Sequence, residues 1–325
     1  MKIIPRAFLR FLFLSLALFH GAALLHAAGE HKSAWHNTHD RVFLGGSYWA
    51  NPMEDWRVID GAAECITSGG DRNIQLITHE LTNPQGSFEM FVRIKRVEVK
   101  RTDGGAGFRI GIRAEIDDHR AASFAKGGIN AGLIGGRLVL GKATAELDAN
   151  PEEVVLILKG KADGQRYSLT LSLADAASGK VLGKVITRVA PESVPGNIAL
   201  VNNFDPKMAK GRGSRFRFSD WTVSGDAFSV DPERKFGPLL WSMYSLSDSR
   251  GKEGYVMKIS ALTGPMGAKD SKKVELKVKR NGKWVSLGNA KLDTDAWTAT
   301  FRIANWDETK TTPFRLTYRE KHRDG

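Results

Sequence analysis

The sequence is poor in the features that most often announce a function. A single cysteine, Cys65, stands among 325 residues, so no internal disulfide can form and burial must hold the fold together. No Gly-x-Ser-x-Gly nucleophile elbow is present, and Cys65 lies in a strand-like run where a small apolar role is expected. Beyond the N-terminal leader no run approaches the roughly 20 apolar residues of a membrane span. Helix signals are nearly absent there too. The chain is basic, with a formal charge of +12, yet its bases are scattered through strand-like segments. That distribution argues against nucleic-acid recognition, which gathers bases on one face or in one run.

What is present begins with an export signal. Lys2, Arg6 and Arg10 precede the apolar stretch from Phe11 to Leu25, and small residues follow at Ala27-Ala28-Gly29. A basic start, a short apolar core and a small-residue exit define a secretory signal peptide over residues 1–28, cleaved near Ala27 or Ala28. His20 interrupts the stretch, against a transmembrane anchor. The expected destination is extracytoplasmic, periplasmic or secreted. Loss of three bases with the leader lowers the charge to +9, an excess that favours anionic partners, although plain solubility explains it as well.

Strand signals recur at short intervals, separated by glycine, asparagine and proline. Runs are expected at 56–66, 73–81, 87–99, 107–116, 137–141, 154–159, 167–173, 181–189, 197–204 and 215–223. Asp163-Gly164 fits a tight hairpin turn. In Phe108-Arg109-Ile110-Gly111-Ile112-Arg113 strict alternation points the apolar side chains one way and both arginines the other. In Tyr167-Ser168-Leu169-Thr170-Leu171-Ser172-Leu173 it separates leucines from hydroxyls. Sheets with one dry and one wet face pack as sandwiches. The strand count predicts an all-β chain whose residues 29–226 form a jelly-roll sandwich.

A boundary falls at 224–234, after which the pattern restarts at 240–246, 255–261, 274–279, 283–287, 298–303 and 314–319. Asn281-Gly282 joins two of these runs as a two-residue hairpin. Six strands predict a smaller immunoglobulin- or fibronectin-like sandwich over 227–325. The turn pair Asp324-Gly325 has no strand after it, which suggests a domain cut short at its C-terminus. The stretch 205–215, with Lys207, Lys210 and Arg212, is expected to be a mobile basic loop.

Candidate chemistry is thin. His31, His36, His39 and Asp40 form the densest imidazole cluster, but a new N-terminus is commonly disordered and lacks the rigid surroundings a metal site needs. Asp117-Asp118-His119 cannot easily converge on one ion, because consecutive strand residues alternate in direction. Glu89 with Glu115 or Asp117 could make a carboxylate pair, yet ordinary surface acids explain them equally well. No catalytic residue, metal site or cofactor is therefore assigned. Binding is better supported. Arg109 and Arg113 on one wet face, with Asn130, Asn202, Asn203 and Trp49 nearby in glycine-rich or strand-end segments, suit sugar hydroxyls, carboxylates or phosphates.

Several segments carry a family resemblance: Gly45-Gly46-Ser47-Tyr48-Trp49-Ala50-Asn51-Pro52, Asp55-Trp56-Arg57-Val58-Ile59-Asp60-Gly61, Ala106–Arg113, Gly128-Ile129-Asn130-Ala131-Gly132 and Ala199-Leu200-Val201-Asn202-Asn203-Phe204. The opening resembles concanavalin-like (laminin-G-like) domains of secreted bacterial proteins. Together the segments resemble the N-terminal half of PhoD-like alkaline phosphatases. The run Phe236–Ser247 resembles the segment that opens an immunoglobulin-like domain in that family. The resemblance implies a non-catalytic binding or scaffolding region, contacting glycan or an anionic envelope polymer beside a phosphatase catalytic domain. Metal ions would belong to that domain, which this chain lacks. Two other readings stand beside it: a secreted glycoside-cleaving enzyme of the 3-keto-disaccharide hydrolase type, and a structural surface protein.

Overall fold

The computed structural model describes residues 30–99, 104–113, 127–248 and 252–325. Strands are numbered along the chain. The first unit holds β1 (His31–Lys32), β2 (Tyr48–Asn51), β3 (Trp56–Ile59), β4 (Ala62–Cys65), β5 (Arg72–Leu81), β6 (Ser87–Glu98), β7 (Gly105–Ile112) and β8 (Ile129–Ile134). It continues with β9 (Arg137–Leu140), β10 (Ala143–Glu146), β11 (Glu153–Asp163), β12 (Arg166–Asp175), β13 (Val181–Val189), β14 (Gly196–Asn202), β15 (Arg215–Ser224) and β16 (Phe228–Val230). The second unit holds β17 (Leu239–Asp248), β18 (Tyr255–Thr263), β19 (Lys273–Arg280), β20 (Lys283–Lys291), β21 (Thr298–Ile303) and β22 (Phe314–Tyr318). No helix among the described residues is long and apolar enough to cross a membrane.

Every strand pairing among the described residues is antiparallel. The first sheet runs β13-β12-β11-β6-β15-β4-β3, with β1 also on β15. The second runs β10-β9-β8-β7-β14-β5-β16, with β2 also on β5. Their inner faces share one core. Tyr167, Leu169, Leu171 and Leu173 of β12 meet Phe108, Ile110, Ile74 and Leu76 from the other sheet. Each fully buried leucine or isoleucine contributes roughly 1.5–3 kcal/mol, so the two-residue alternation read from the sequence sets the sandwich. Gly160 of β11 lies between the stacked rings of Phe88 and Tyr167, where a Cβ would overlap both.

Several details differ from the sequence reading. The run at 56–66 is a hairpin, β3 and β4, because Asp60 and Gly61 take φ of 49° and 80° and turn the chain. The segment that follows the expected leader is tied down rather than loose: β1 adds to β15 and Trp35 enters the core. The stretch 205–215 is pinned as well. Gly211 and Gly213 donate to the Ser68 side chain and carbonyl, and Gly70 donates to the Met208 carbonyl. Phe228–Val230 returns to β5, so the chain leaves the first unit after Val230. The expected hairpin forms at Asn281-Gly282, while the one expected at Asp163-Gly164 turns one residue later, on Gly164-Gln165, because Asp163 still pairs with Arg166.

The second unit has two three-stranded sheets, β17-β18-β21 and β20-β19-β22. Its core is small: Met257, Ile259, Ala261, Val274, Leu276, Leu292, Ala299 and Phe301. A polar clasp joins it to the first unit. Arg41, buried, donates to the Phe43 carbonyl at 2.8 Å, pairs with Glu320 at 2.9 Å and lies 3.5 Å from the buried carboxylate of Asp270. Arg323 adds contacts to the Thr38 carbonyl and Asp40.

Candidate functional site

The register assembles three of the residues singled out from the sequence. Across the second sheet, Trp49 faces Gln75, Gln75 faces Ala199, Ala199 faces Arg109, and Arg109 faces Asn130. Their chain neighbours Tyr48, Ile74, Leu200, Phe108 and Ala131 point into the core. The row therefore lies on the outer face, as alternation requires.

That row is consolidated rather than open. Arg109 is only 5% exposed. Its Nε donates to Asn130 Oδ1 at 2.7 Å and its Nη1 to Asp71 Oδ1 at 2.6 Å. A guanidinium this deep needs a carboxylate, since an unpaired buried charge costs several kcal/mol. Burial pushes the Asp71 carboxyl above its usual range, with Arg109 opposing the shift. The remaining candidates serve the loops. Asn203, at φ 58°, donates to the carbonyls of Ser68, Gly69 and Ser214, and Asn202 bonds the Ser214 carbonyl and the Phe216 N–H. Trp49 stays 38% exposed and packs its ring on Phe236.

The expected pairing of Arg109 and Arg113 on one wet face does not form. Gly111 takes φ 68° and the β7–β14 register slips beside it, so alternation breaks between the two arginines. Arg113 instead donates to the carbonyls of Pro195 and Glu192.

An open polar surface lies on the opposite side of the sandwich, where the sequence reading proposed nothing. Ser168, Thr170 and Ser172 of β12 project outward as a short-chained floor. Lys159 and Lys161 of β11 rise on one side and Lys184 of β13 on the other. Ser87, Glu89 and Ser224 complete a groove of about 640 Å³. The register explains it: Ser224, Glu89, Lys159 and Thr170 form one cross-strand row, and Ser87, Lys161 and Ser168 the next. Below them run Phe91, Ile157, Ser172 and Lys184, adding half-buried apolar surface at one end.

Charge in the groove is net positive. Glu89 is held by Lys159 at 2.6 Å. Among the described residues, Lys161 and Lys184 have no carboxylate within ion-pair distance. At the other end of this sheet the outer face is closed, because the buried Glu64 is bracketed by Arg215 and Arg217 at 2.6 Å each. The groove can therefore offer ammonium groups and hydroxyls to a ligand. Among the described residues its one carboxylate, Glu89, is already paired with Lys159, and no second acid lines it for glycoside cleavage. The signal was partly legible in the Ser-x-Thr-x-Ser alternation, but the lysines belong to neighbouring strands, and only the register sets them beside it.

Other reactive groups are dispersed. His31 Nε2 lies 2.9 Å from Tyr48 Oη, and burial lowers the His31 pKa to about 3. His36 is exposed, and His39 lines a cleft with Asp40, Asp60 and Arg323. No three metal-ligating side chains converge among the described residues. Burial pushes the Cys65 thiol up to about 12, leaving it unreactive. Glu115 and Asp117-Asp118-His119 lie outside the described residues.

No family model and no curated protein matches the chain. Solved structures with a similar course of chain include lectin II from Ulex europaeus, at 11% identity and a TM-score of 0.42, covering 60% of this chain and 97% of that one. Winged bean acidic lectin matches at 9% identity and 0.43, covering 62% and 99%. The CBM2 module of the evolved Dit of Lactobacillus casei BL23 phage J-1 matches at 14% and 0.32, covering 54% and 80%. These scores are too low to carry a functional argument. The all-β assignment stands on the strand pairing itself.

Proposed function

We propose that the chain is a non-catalytic binding region, and that the groove along β12 takes an anionic, hydroxyl-rich polymer such as an acidic polysaccharide. The observation that carries this reading is the pair Lys161 and Lys184 standing over a floor of three hydroxyls. Ammonium groups attract carboxylate or sulfate, while serine and threonine exchange hydrogen bonds with sugar hydroxyls. The half-buried Phe91 and Ile157 offer apolar surface for a sugar ring.

The wider setting belongs to the same proposal. The first unit is a concanavalin-like jelly roll and the second an immunoglobulin-like spacer. The chain is exported by a cleaved leader and serves a PhoD-like phosphatase or phosphodiesterase whose metal-bearing catalytic domain lies elsewhere. The sequence motifs of the first unit and the leader pattern support this setting. A glycan array, followed by titration with polygalacturonate, tests the binding. Affinity for the polyuronate should exceed that for neutral glucans and fall with salt, as exposed charge pairs do. Preference for neutral glucans, or phosphodiester hydrolysis by the isolated chain, would rule the proposal out.

A further inference from the structure

The second unit has an edge that ordinary sheets protect. Strand β17 hydrogen-bonds only to β18 among the described residues, so one side of its backbone is unpaired over ten residues. Its large side chains are unusually bare: Leu240, Trp241, Met243, Tyr244 and Leu246 are 41–63% exposed. Both faces share this. Tyr244 and Leu246 lie opposite the core residues Ile259 and Met257 yet stay open, while Trp241 and Met243 point the other way.

Unpaired edges invite pairing, and proteins usually block them with charge. The other outer strands of this unit follow that rule: β20 carries Lys283 and Lys291, β21 carries Arg302, and β22 carries Arg315. Strand β17 has one charged residue, Asp248, at its last position. Paired antiparallel with its own copy, it would bring no two like charges face to face. The same pairing of β20 would set Lys283 against Lys291.

We infer that β17 is a dimerisation edge, on which a second copy of this chain adds its own β17 antiparallel about a twofold axis near Met243 and Tyr244. Two three-stranded sheets then join into one of six strands, and the bare side chains are covered on both faces. Closed twofold homodimers are the commonest soluble assembly, and their interface must be self-complementary, as this strand is. With aromatic side chains presenting about 150–250 Å² each, the five exposed groups supply on the order of 500 Å² per copy. A standard interface uses about 800 Å² per partner, so the dimer is weak and concentration-dependent. The second unit carries 19 lysines and arginines against 12 acids over 227–325. Two copies therefore repel, and salt strengthens the pairing, whereas an acidic foreign partner would be weakened by it.

Sedimentation velocity of the leader-free chain, from low micromolar to a few hundred micromolar, tests the inference. The sedimentation coefficient should climb from monomer to dimer, at lower concentration in high salt. Met243→Lys and Ser245→Pro should each hold the chain monomeric, while Val285→Lys, on an exposed patch of β20, should leave the dimer intact. Circular dichroism of Met243→Lys separates lost pairing from lost folding. A chain monomeric throughout, or a folded Met243→Lys variant that still dimerises, overturns it.

Discussion

The two outer faces of the first sandwich are built from similar residue types and end in opposite states. On the second sheet, Arg109 is drawn against Asp71 and Asn130 and is nearly sealed from solvent. On the first sheet, Lys161 and Lys184 stand over Ser168, Thr170 and Ser172 in an open groove. The difference lies in the neighbours. A deep guanidinium must be neutralised by a carboxylate, so its charge goes into holding loops together. Cations at the rim of a hydroxyl floor keep their hydration and remain available to a ligand. A polar residue type in a strand does not tell which of these fates it meets.

The sharpest way to break the comparison is to remove the sealed charge. Arg109→Ala should cost about 3–5 kcal/mol, the range for breaking a buried pair, read as a fall in the urea midpoint. A loss below 1 kcal/mol would mean that the second face is not consolidated. Next is Gly160→Ala, which forces a methyl group between Phe88 and Tyr167. Overpacking of this kind costs about 1–3 kcal/mol, and thermal unfolding would report it as a lower Tm without loss of the groove's outward residues.

The half-buried His31 imidazole gives a pH dependence of definite sign. His31 titrates near 6.5 when unfolded and at about 3 in the fold, so the unfolded chain binds the extra proton first. Stability is full above pH 6.5 and is lost as pH falls toward 3, by up to about 1.4 kcal/mol per pH unit. His31→Gln should flatten that part of the stability–pH curve. A curve as steep in the variant as in the parent would place the titrating group elsewhere. The smallest effect on stability belongs to Lys161→Ala with Lys184→Ala, within about 0.5 kcal/mol as for ordinary surface changes. The same double variant should lose most of the affinity for polygalacturonate.

Much of the architecture is legible in the sequence. The alternation at Tyr167–Leu173 placed the leucines inward and the hydroxyls outward, and the strand bounds at 181–189 and 298–303 agree residue for residue. Asp60-Gly61 is hard to read as a turn because apolar residues flank it on both sides. Of the site, the sequence reading named Trp49, Arg109 and Asn130, which do share a row. It missed the effect of Gly111, whose positive φ ends the alternation before Arg113. The groove as a whole has no signature in the sequence. Its lysines come from β11 and β13 and its floor from β12, and such neighbours are fixed by hairpin register rather than by any motif.

Hydrogen exchange of the leader-free chain with and without polygalacturonate puts the contrast between the two faces to the most direct test. Added polymer should slow exchange in 157–173 and 181–188 and leave 49–51, 73–75, 107–110 and 129–132 unchanged. Protection that appears instead in the segments around Trp49, Arg109 and Asn130 would contradict the account, and would make the second face the binding surface.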